Sequence, residues 1–240
     1  MFLVAVFVVT VLSGATATVV GFGIGSLMTP LLATRFGPTT AVALVMLPHA
    51  AATAVRWWRL RAHVNRPVLL RFGLLSAAGA LAGALVYTRL GPDTLSRVLG
   101  GLLCLTGVAQ LTGWTAHWQP RGLLVGLFGL ASGFFGGVAG NQGGLRSAAL
   151  TTFNLPPRGF VATATATGLL VDAARTPVYL WHSGSLLLTL WAPLLVATGG
   201  VLLGTVMGER LLMGLSPRRF GYAIGWAICA LGVWLLLMPA

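Results

Sequence analysis

The chain has 240 residues, of which 57% are hydrophobic and 8% are charged. Soluble domains carry about 25% charged residues, so this composition excludes a water-exposed globular domain and predicts a membrane protein. The formal net charge of +12 comes from arginines spread between hydrophobic segments, without the basic tail or face that is typical of a nucleic-acid-binding protein.

Eight apolar elements separated by polar breaks predict an all-α polytopic membrane protein with about eight transmembrane helices, because one crossing needs about 20 residues. The elements cover residues 2–34, 38–56, 67–88, 95–114, 122–152, 159–180, 186–208 and 218–238. The first and fifth elements each contain a glycine-rich interruption. At about 30 residues, they are too long for one straight crossing and too short for two. Each is therefore predicted to be a broken helix or a re-entrant hairpin.

The two halves of the chain resemble each other, and we predict two homologous transmembrane repeats, residues 1–120 and 121–240. Internal repeats are typical of transporters. An odd number of crossings per half would invert the second half relative to the first. The orientation of the chain in the membrane stays open, because the connections on the two sides of the membrane carry nearly equal numbers of arginines. The matched pairs include Gly21 with Gly140, Gly25 with Gly144, Pro38 with Pro157, Arg56 with Arg175, and, after a two-residue slip, Arg89 with Arg210 and Arg97 with Arg218.

Glycine has two ordinary uses in such helices. Pairs four residues apart let two backbones approach closely, and we predict this role for Gly79 with Gly83, Gly129 with Gly133, and Gly200 with Gly204. The stretch from Gly140 to Gly144 also holds two amide side chains, Asn141 and Gln142, and packing alone does not explain it. Irregular backbone at membrane depth survives only where it lines a cavity or is buried in protein.

A helix break here would favour an anion. The helix that restarts near Gly144 presents free backbone N–H groups, equivalent to about half a positive charge. Arg146 lies in the first turn of this helix, where the helix dipole disfavours a cation unless an anion binds at the same site. The alternative is that Arg146 lies near the interface and extends to the headgroups. In the first half, Leu27 corresponds to Arg146 and Thr53 corresponds to Asp172. The charged residues of the predicted site therefore come mainly from the second half.

The predicted anion-binding residues come from both interruptions and from the sixth element. Asp172 and Arg175 lie three apart and can pair on one helix face. They form either a structural ion pair or a functional one, in which Asp172 takes up a proton during transport and Arg175 contacts the substrate or Asp172. Arg56 carries the same ambiguity, and His49 is more typical of a buried core residue than of a proton relay. The binding set is Gly23, Gly25, Ser26, Asn141, Gln142, Gly143, Gly144, Arg146 and Arg175.

Enzymatic motifs are missing from the sequence. It has no P-loop, no cluster of His, Glu and Cys with metal-ligand spacing, and no convincing serine–histidine pair. We therefore expect no catalytic residue, no cofactor and no metal. An intramembrane enzyme would need a nucleophile that the sequence does not show.

The glycine segments resemble the TauE/SafE family of sulfite exporter-like membrane proteins over essentially the whole chain. Gly21–Gly25 is followed by Thr29-Pro30-Leu31-Leu32, Ser132–Gly137 opens the second half, and Ala54–Arg59 is similar to the family's basic end of the second helix. The chain departs from the family pattern at Asn141-Gln142, where small or apolar residues are usual, and at Ala149, where proline is usual.

The resemblance implies a secondary carrier of small sulfur-containing anions such as sulfite, sulfonate or thiosulfate in the bacterial inner membrane, with proton coupling as a weaker hypothesis. A passive anion channel or a membrane subunit of a larger complex is the alternative. The expected partners are the anionic substrate and the lipid bilayer. The sequence leaves open whether the protein forms a homodimer.

Overall fold

The computed structural model describes residues 1–20, 23–113, 122–140, 143–211 and 217–237. These residues form helices and short connections, with no strand among them, which confirms the all-α prediction. The helices are α1 (Phe2–Val20), α2 (Ile24–Leu60), α3 (Arg66–Tyr87, with a π-helical stretch at Leu69–Gly73), α4 (Pro92–Thr112), α5 (Leu123–Ala139), α6 (Gly143–Leu150), α7 (Pro157–Thr189), α8 (Trp191–Leu211) and α9 (Pro217–Leu237).

Several helices have the length and apolar character of membrane spans. Four described segments are long and apolar enough to cross a bilayer, namely Ile24–His63, Arg66–Tyr87, Pro92–Thr112 and Trp191–Gly208. Shorter apolar helices cover Phe2–Thr18, Leu123–Ala139 and Gly221–Leu237. Their outer faces carry large exposed apolar side chains, such as Val8, Leu85 and Leu127, which suit contact with lipid. The chain is an integral, polytopic membrane protein.

The first element is a helical hairpin. Gly37 interrupts α2 with φ 77° and ψ 162°, so residues 24–36 and 38–60 are separate helical segments. The Phe2 ring at the start of α1 packs on the Phe36 ring, with centroids 5.6 Å apart. A straight continuation of about 30 residues would place these rings tens of ångströms apart, since a helix rises about 1.5 Å per residue. The segment 24–36 therefore returns along α1.

The second half contains a matching hairpin. Helix α5 ends at Gly140, which adopts a left-handed conformation with φ 69°. Val125 and Phe128, near the start of α5, share a hydrophobic cluster with Leu150 and Phe153 at the far end of α6 and its continuation. Helix α6 therefore also returns along the helix that precedes it. The turn residues 21, 22, 141 and 142 lie outside the described residues.

The hairpins pack on the opposite half through glycines. Along the contact between α5 and α3, a Cβ atom added to any of three α5 glycines would meet the α3 backbone, and the α1–α8 contact is built in the same way. The predicted close packing of Gly79, Gly83, Gly129, Gly133, Gly200 and Gly204 is confirmed. The contacts are Gly129 with Phe72, Gly133 with Ser76, Gly137 with Ala80, Gly200 with Phe7, Gly204 with Val11 and Gly208 with Ala15.

Corresponding helices of the two halves run in opposite directions. Gly100 of α4 lies against Gly232 of α9, whereas Gly107 lies against Gly225, so these helices are antiparallel. Helices α2 and α7 are antiparallel as well, because His63 lies beside Gly159 and His49 meets Asp172. With five helical segments per half, the halves are inverted. This correspondence supports our proposal that residues 1–120 and 121–240 are two repeats.

One predicted boundary is wrong. The polar residues from His182 to Ser185 were expected to connect the sixth element, 159–180, to the seventh, 186–208. They lie instead inside α7, which continues to Thr189. Burial explains the difference, because Ser183 is 7% exposed and Leu187 is 3% exposed against neighbouring helices.

We predict that Gly133→Ala destabilises the fold, because a Cβ at this position would overlap the backbone of Ser76. The expected loss is about 1–3 kcal/mol of unfolding free energy, as for other overpacked sites. Gly101→Ala in α4 is the matched control, since its Cβ would meet nothing within 4 Å. Thermal unfolding in detergent measures both variants, and equal melting temperatures would contradict the packing role of Gly133.

Candidate functional site

A small cavity lies between the residues that flank the two hairpin turns. Described residues beside both turns line it together with His49 and Arg56 from further along α2. It has room for about one water molecule. The lining residues are Ala17, Gly23, Ile24, Gly25, Ser26, His49, Arg56, Gly140, Gly143 and Arg146.

The structure brings together part of the predicted anion-binding set. Gly23, Gly25, Ser26, Gly143 and Arg146 all line the cavity, although they come from different halves of the chain.

Two other predicted residues, Gly144 and Arg175, do not line the cavity. Gly144 packs against Thr106 of α4, and Arg175 lies behind the cavity wall. Asn141 and Gln142 lie outside the described residues.

Arg146 is enclosed by protein. Its side chain belongs to α6, and the residue is 2% exposed. Neither Nε nor Nη1 has a hydrogen-bond partner within the described part of the chain. Nη1 lies against Gly168 of α7, where an added Cβ would come within 2.8 Å of it. Gly168 therefore leaves the space that the guanidinium occupies, and Arg146 lies inside the protein rather than at an interface.

Asp172 is the centre of a buried ion-pair network. Its Oδ1 accepts hydrogen bonds from Arg175 Nη2 at 2.8 Å and from Arg175 Nε at 3.1 Å. Its Oδ2 lies 2.7 Å from His49 Nδ1. Arg175 Nη1 donates to the Gly136 carbonyl at 2.7 Å, so Arg175 is extensively hydrogen-bonded.

Arg56 makes the same kind of hydrogen bond to a helix end as Arg175 does, but it has no neighbouring aspartate. Its Nη1 donates to the carbonyl of Ala17, in the last turn of α1, as Arg175 does to Gly136 in the last turn of α5. Carbonyls in the last turn of a helix carry partial negative charge, which favours a cation there, and the Gly136 carbonyl accepts from the Gly140 N–H as well as from Arg175. Arg56 differs from Arg175 in having Thr53, rather than an aspartate, three residues before it. Its Nε has no hydrogen-bond partner among the described residues.

The site carries an excess of positive charge. In the described part of the chain, the buried charged residues are Arg56, Arg146, Arg175 and Asp172. Asp172 balances Arg175, which leaves two guanidinium groups without a carboxylate. Burying a charge is costly unless it is paired and hydrogen-bonded. A small anion in the cavity would supply the missing partner.

A second, wider cavity opens beside the first. We call it the basic vestibule; it has a volume of about 400 Å³. Arg56 lines both cavities and so lies between them. The vestibule is lined by Thr18, Arg56, Arg59, Leu60, His63, Pro157, Arg158 and Val161.

An aromatic cluster lies next to Arg175. The Tyr179 hydroxyl donates to the Gly137 carbonyl, and the Tyr87 and Tyr179 rings lie 4.7 Å apart. Tyr87 also packs edge-on against His182 and donates to the Thr39 carbonyl.

Sequence reasoning missed the two polar lining residues His49 and Arg56 by leaving their roles open. The alignment of the halves held a usable signal. It pairs Arg56 with Arg175 but Thr53 with Asp172, which shows that Arg56 lacks the acid that Arg175 has.

The fold and the site define an integral membrane protein with a buried, positively charged cavity between inverted halves. The chain belongs to the TauE/SafE family: the family model described as sulfite exporter TauE/SafE matches residues 6–235. The resemblance seen in the glycine motifs is thereby confirmed. The family is one of membrane transporters for sulfite-like anions. No curated protein and no solved structure shows a significant match to the chain.

We predict that Arg175→Gln strongly destabilises the protein, because it leaves Asp172 buried without the Arg175 cation and removes the Arg175 hydrogen bond to the Gly136 carbonyl. Breaking such a buried pair costs about 3–5 kcal/mol. The double variant Asp172→Asn/Arg175→Gln should lose less than the sum of the two single variants. Thermal unfolding measures the cycle, with exposed Arg66→Gln as the control. Strict additivity would contradict the pairing.

Proposed function

We propose that the protein is a secondary carrier of small sulfur-containing anions, such as sulfite, sulfonate or thiosulfate, in the bacterial inner membrane. The anion binds at the cavity between the two hairpin turns, which widens to admit it from its present room for about one water molecule. The observation that carries this proposal is Arg146, a buried guanidinium whose Nε and Nη1 find no partner among the described residues.

The cavity suits an oxyanion on two grounds. Arg146 presents a planar fork of N–H donors, which matches oxygens arranged around a central sulfur. Helix α6 begins at Gly143, so its first backbone N–H groups, which lack helical partners, lie at the same cavity. Charge and backbone dipole therefore act on the same anion.

A carrier fits the described structure better than a channel does. The cavity between the turns has room for about one water molecule, while the basic vestibule beside it is open. Inverted repeats around a central site are typical of secondary transporters, in which one half moves against the other. Saturable exchange in vesicles would support the carrier, and flux that rises linearly with anion concentration would favour the channel.

Proton coupling is the second part of the proposal. The Asp172 carboxylate faces His49 of α2 and Arg175 of its own helix, with Arg146 of α6 and Arg56 of α2 nearby. A proton taken up by the Asp172–His49 pair would add positive charge beside the cavity and strengthen anion binding. Proton and anion would then move together.

We predict that sulfite and thiosulfate raise the melting temperature of the purified protein, because ligand binding stabilises the folded state. At a concentration of about 100 times Kd, the gain is about 2.7 kcal/mol. Arg146→Gln should abolish this shift, and Arg66→Gln should retain it. The absence of a shift in the wild type with sulfite, sulfate, thiosulfate, sulfoacetate and taurine would contradict the proposal, and so would an undiminished shift in Arg146→Gln.

We predict that Asp172→Asn removes the stimulation of anion uptake by an inward proton gradient, because the asparagine side chain takes up no proton. Thiosulfate is the substrate of choice in proteoliposomes, since its charge does not change near neutral pH. Exchange driven by a thiosulfate gradient alone should persist. Full pH-driven uptake by Asp172→Asn would rule out this coupling.

A further inference from the structure

We propose that the site selects dianions over monoanions of the same size, and that Arg56 supplies this selection together with Arg146. The inference rests on the proposed function and specifies the charge of the substrate that the cavity takes.

The charge of the cavity is the first ground. Asp172 accepts hydrogen bonds from Arg175 at 2.8 and 3.1 Å, and these two charges cancel. A neutral His49 has one N–H, which is sufficient for its contact with Asp172. Arg56 and Arg146 remain, both without a carboxylate among the described residues. Two positive charges in a low-dielectric interior are balanced by two negative charges.

The placement of the two guanidinium groups is the second ground. Arg56 and Arg146 line the same cavity but come from different helices, α2 and α6. They are 4% and 2% exposed. Each retains N–H donors without a partner in the described structure, at Nε of Arg56 and at Nε and Nη1 of Arg146. An oxyanion with several oxygens can accept from both at once, and hydrogen bonds between charged groups are the stronger class.

The comparison of the halves is the third ground. Arg56 and Arg175 make the same bond to the last turn of the preceding hairpin helix, so their surroundings can be compared residue by residue. Asp172 neutralises Arg175, whereas the corresponding Thr53 is uncharged. Thr53 is fully buried, and its hydroxyl lies 3.4 Å from His49 Nδ1. One of the two excess charges, that of Arg56, therefore results from position 53, which makes it open to a single substitution.

The basic vestibule provides a route that favours the same substrates. Arg59 and Arg158 are exposed at its wall, and Arg56 forms the boundary with the inner cavity. A cleft lined by charges of one sign concentrates ions of the opposite sign, and a dianion gains more from this field than a monoanion.

The test compares the dissociation constants of two ligands of similar shape. They are measured on the wild type and on two variants whose substituted side chains have nearly the same size. Sulfate and methanesulfonate are both tetrahedral, but they carry two charges and one charge respectively. Their dissociation constants are measured on the purified full chain at constant ionic strength by calorimetry. We expect the wild type to bind sulfate at least about tenfold more tightly, because one charge-assisted hydrogen bond is worth that much or more.

Thr53→Asp places a carboxylate three residues before Arg56, as Asp172 stands before Arg175. We expect it to lower the preference for sulfate at least about tenfold, chiefly by weakening sulfate binding. Thr53→Asn has nearly the same size and no charge, so it should retain the wild-type preference. Arg56→Gln should act in the same direction as Thr53→Asp, and Arg66→Gln should not change the ratio.

Each result has a defined consequence. Equal affinities of the wild type for sulfate and methanesulfonate would overturn the inference while leaving anion binding intact. An unchanged preference in folded Thr53→Asp would overturn it as well. If Thr53→Asp does not fold, the wild-type ratio and Arg56→Gln decide the matter. Failure of the wild type to bind sulfate, thiosulfate, sulfite and methanesulfonate would overturn the proposed function, and this inference with it.

Discussion

The structure depends on how three arginines are accommodated inside a protein that lipid surrounds. The described core offers Arg56, Arg146 and Arg175 one carboxylate, that of Asp172. Helix ends provide the rest: Arg56 and Arg175 each donate to a carbonyl in the last turn of a hairpin helix. A continuous helix would present no helix-end carbonyl at this depth, so the interruptions provide hydrogen-bond acceptors for two of the three buried arginines.

Close packing brings the two interruptions together. Glycines spaced four apart let α5 contact α3 and α1 contact α8 at backbone distance, and each of these contacts joins opposite halves. In lipid, association relies on such van der Waals contact, because hydrocarbon provides no hydrophobic driving force between helices. The same contacts hold each hairpin against the other half, so that both turns end at one cavity. The glycine-rich segments therefore serve both in close packing and in lining the cavity.

Three paired positions turn a symmetric scaffold into an asymmetric site. Leu27 corresponds to Arg146, His49 to Gly168 and Thr53 to Asp172. The first two exchanges are linked through space, because Gly168 leaves room for the Arg146 guanidinium. The third decides which arginine is neutralised. The result is one cavity with a basic vestibule on the side of Arg56 and an aromatic cluster on the side of Arg175.

The sequence by itself determined the membrane class, the approximate positions of the apolar elements, the two interruptions and the family. These features follow from composition, apolar run length and glycine motifs, all of which are local. The hairpins were decided by tertiary contact, since only the packing of Phe2 on Phe36 distinguishes a returning helix from a broken one. The inversion of the halves and the position of His49 and Arg56 at the cavity also needed the fold. A side chain's partner in a helical protein depends on which helix lies opposite, and residues more than a hundred positions apart, such as His49 and Asp172, meet because the helices that carry them pack together.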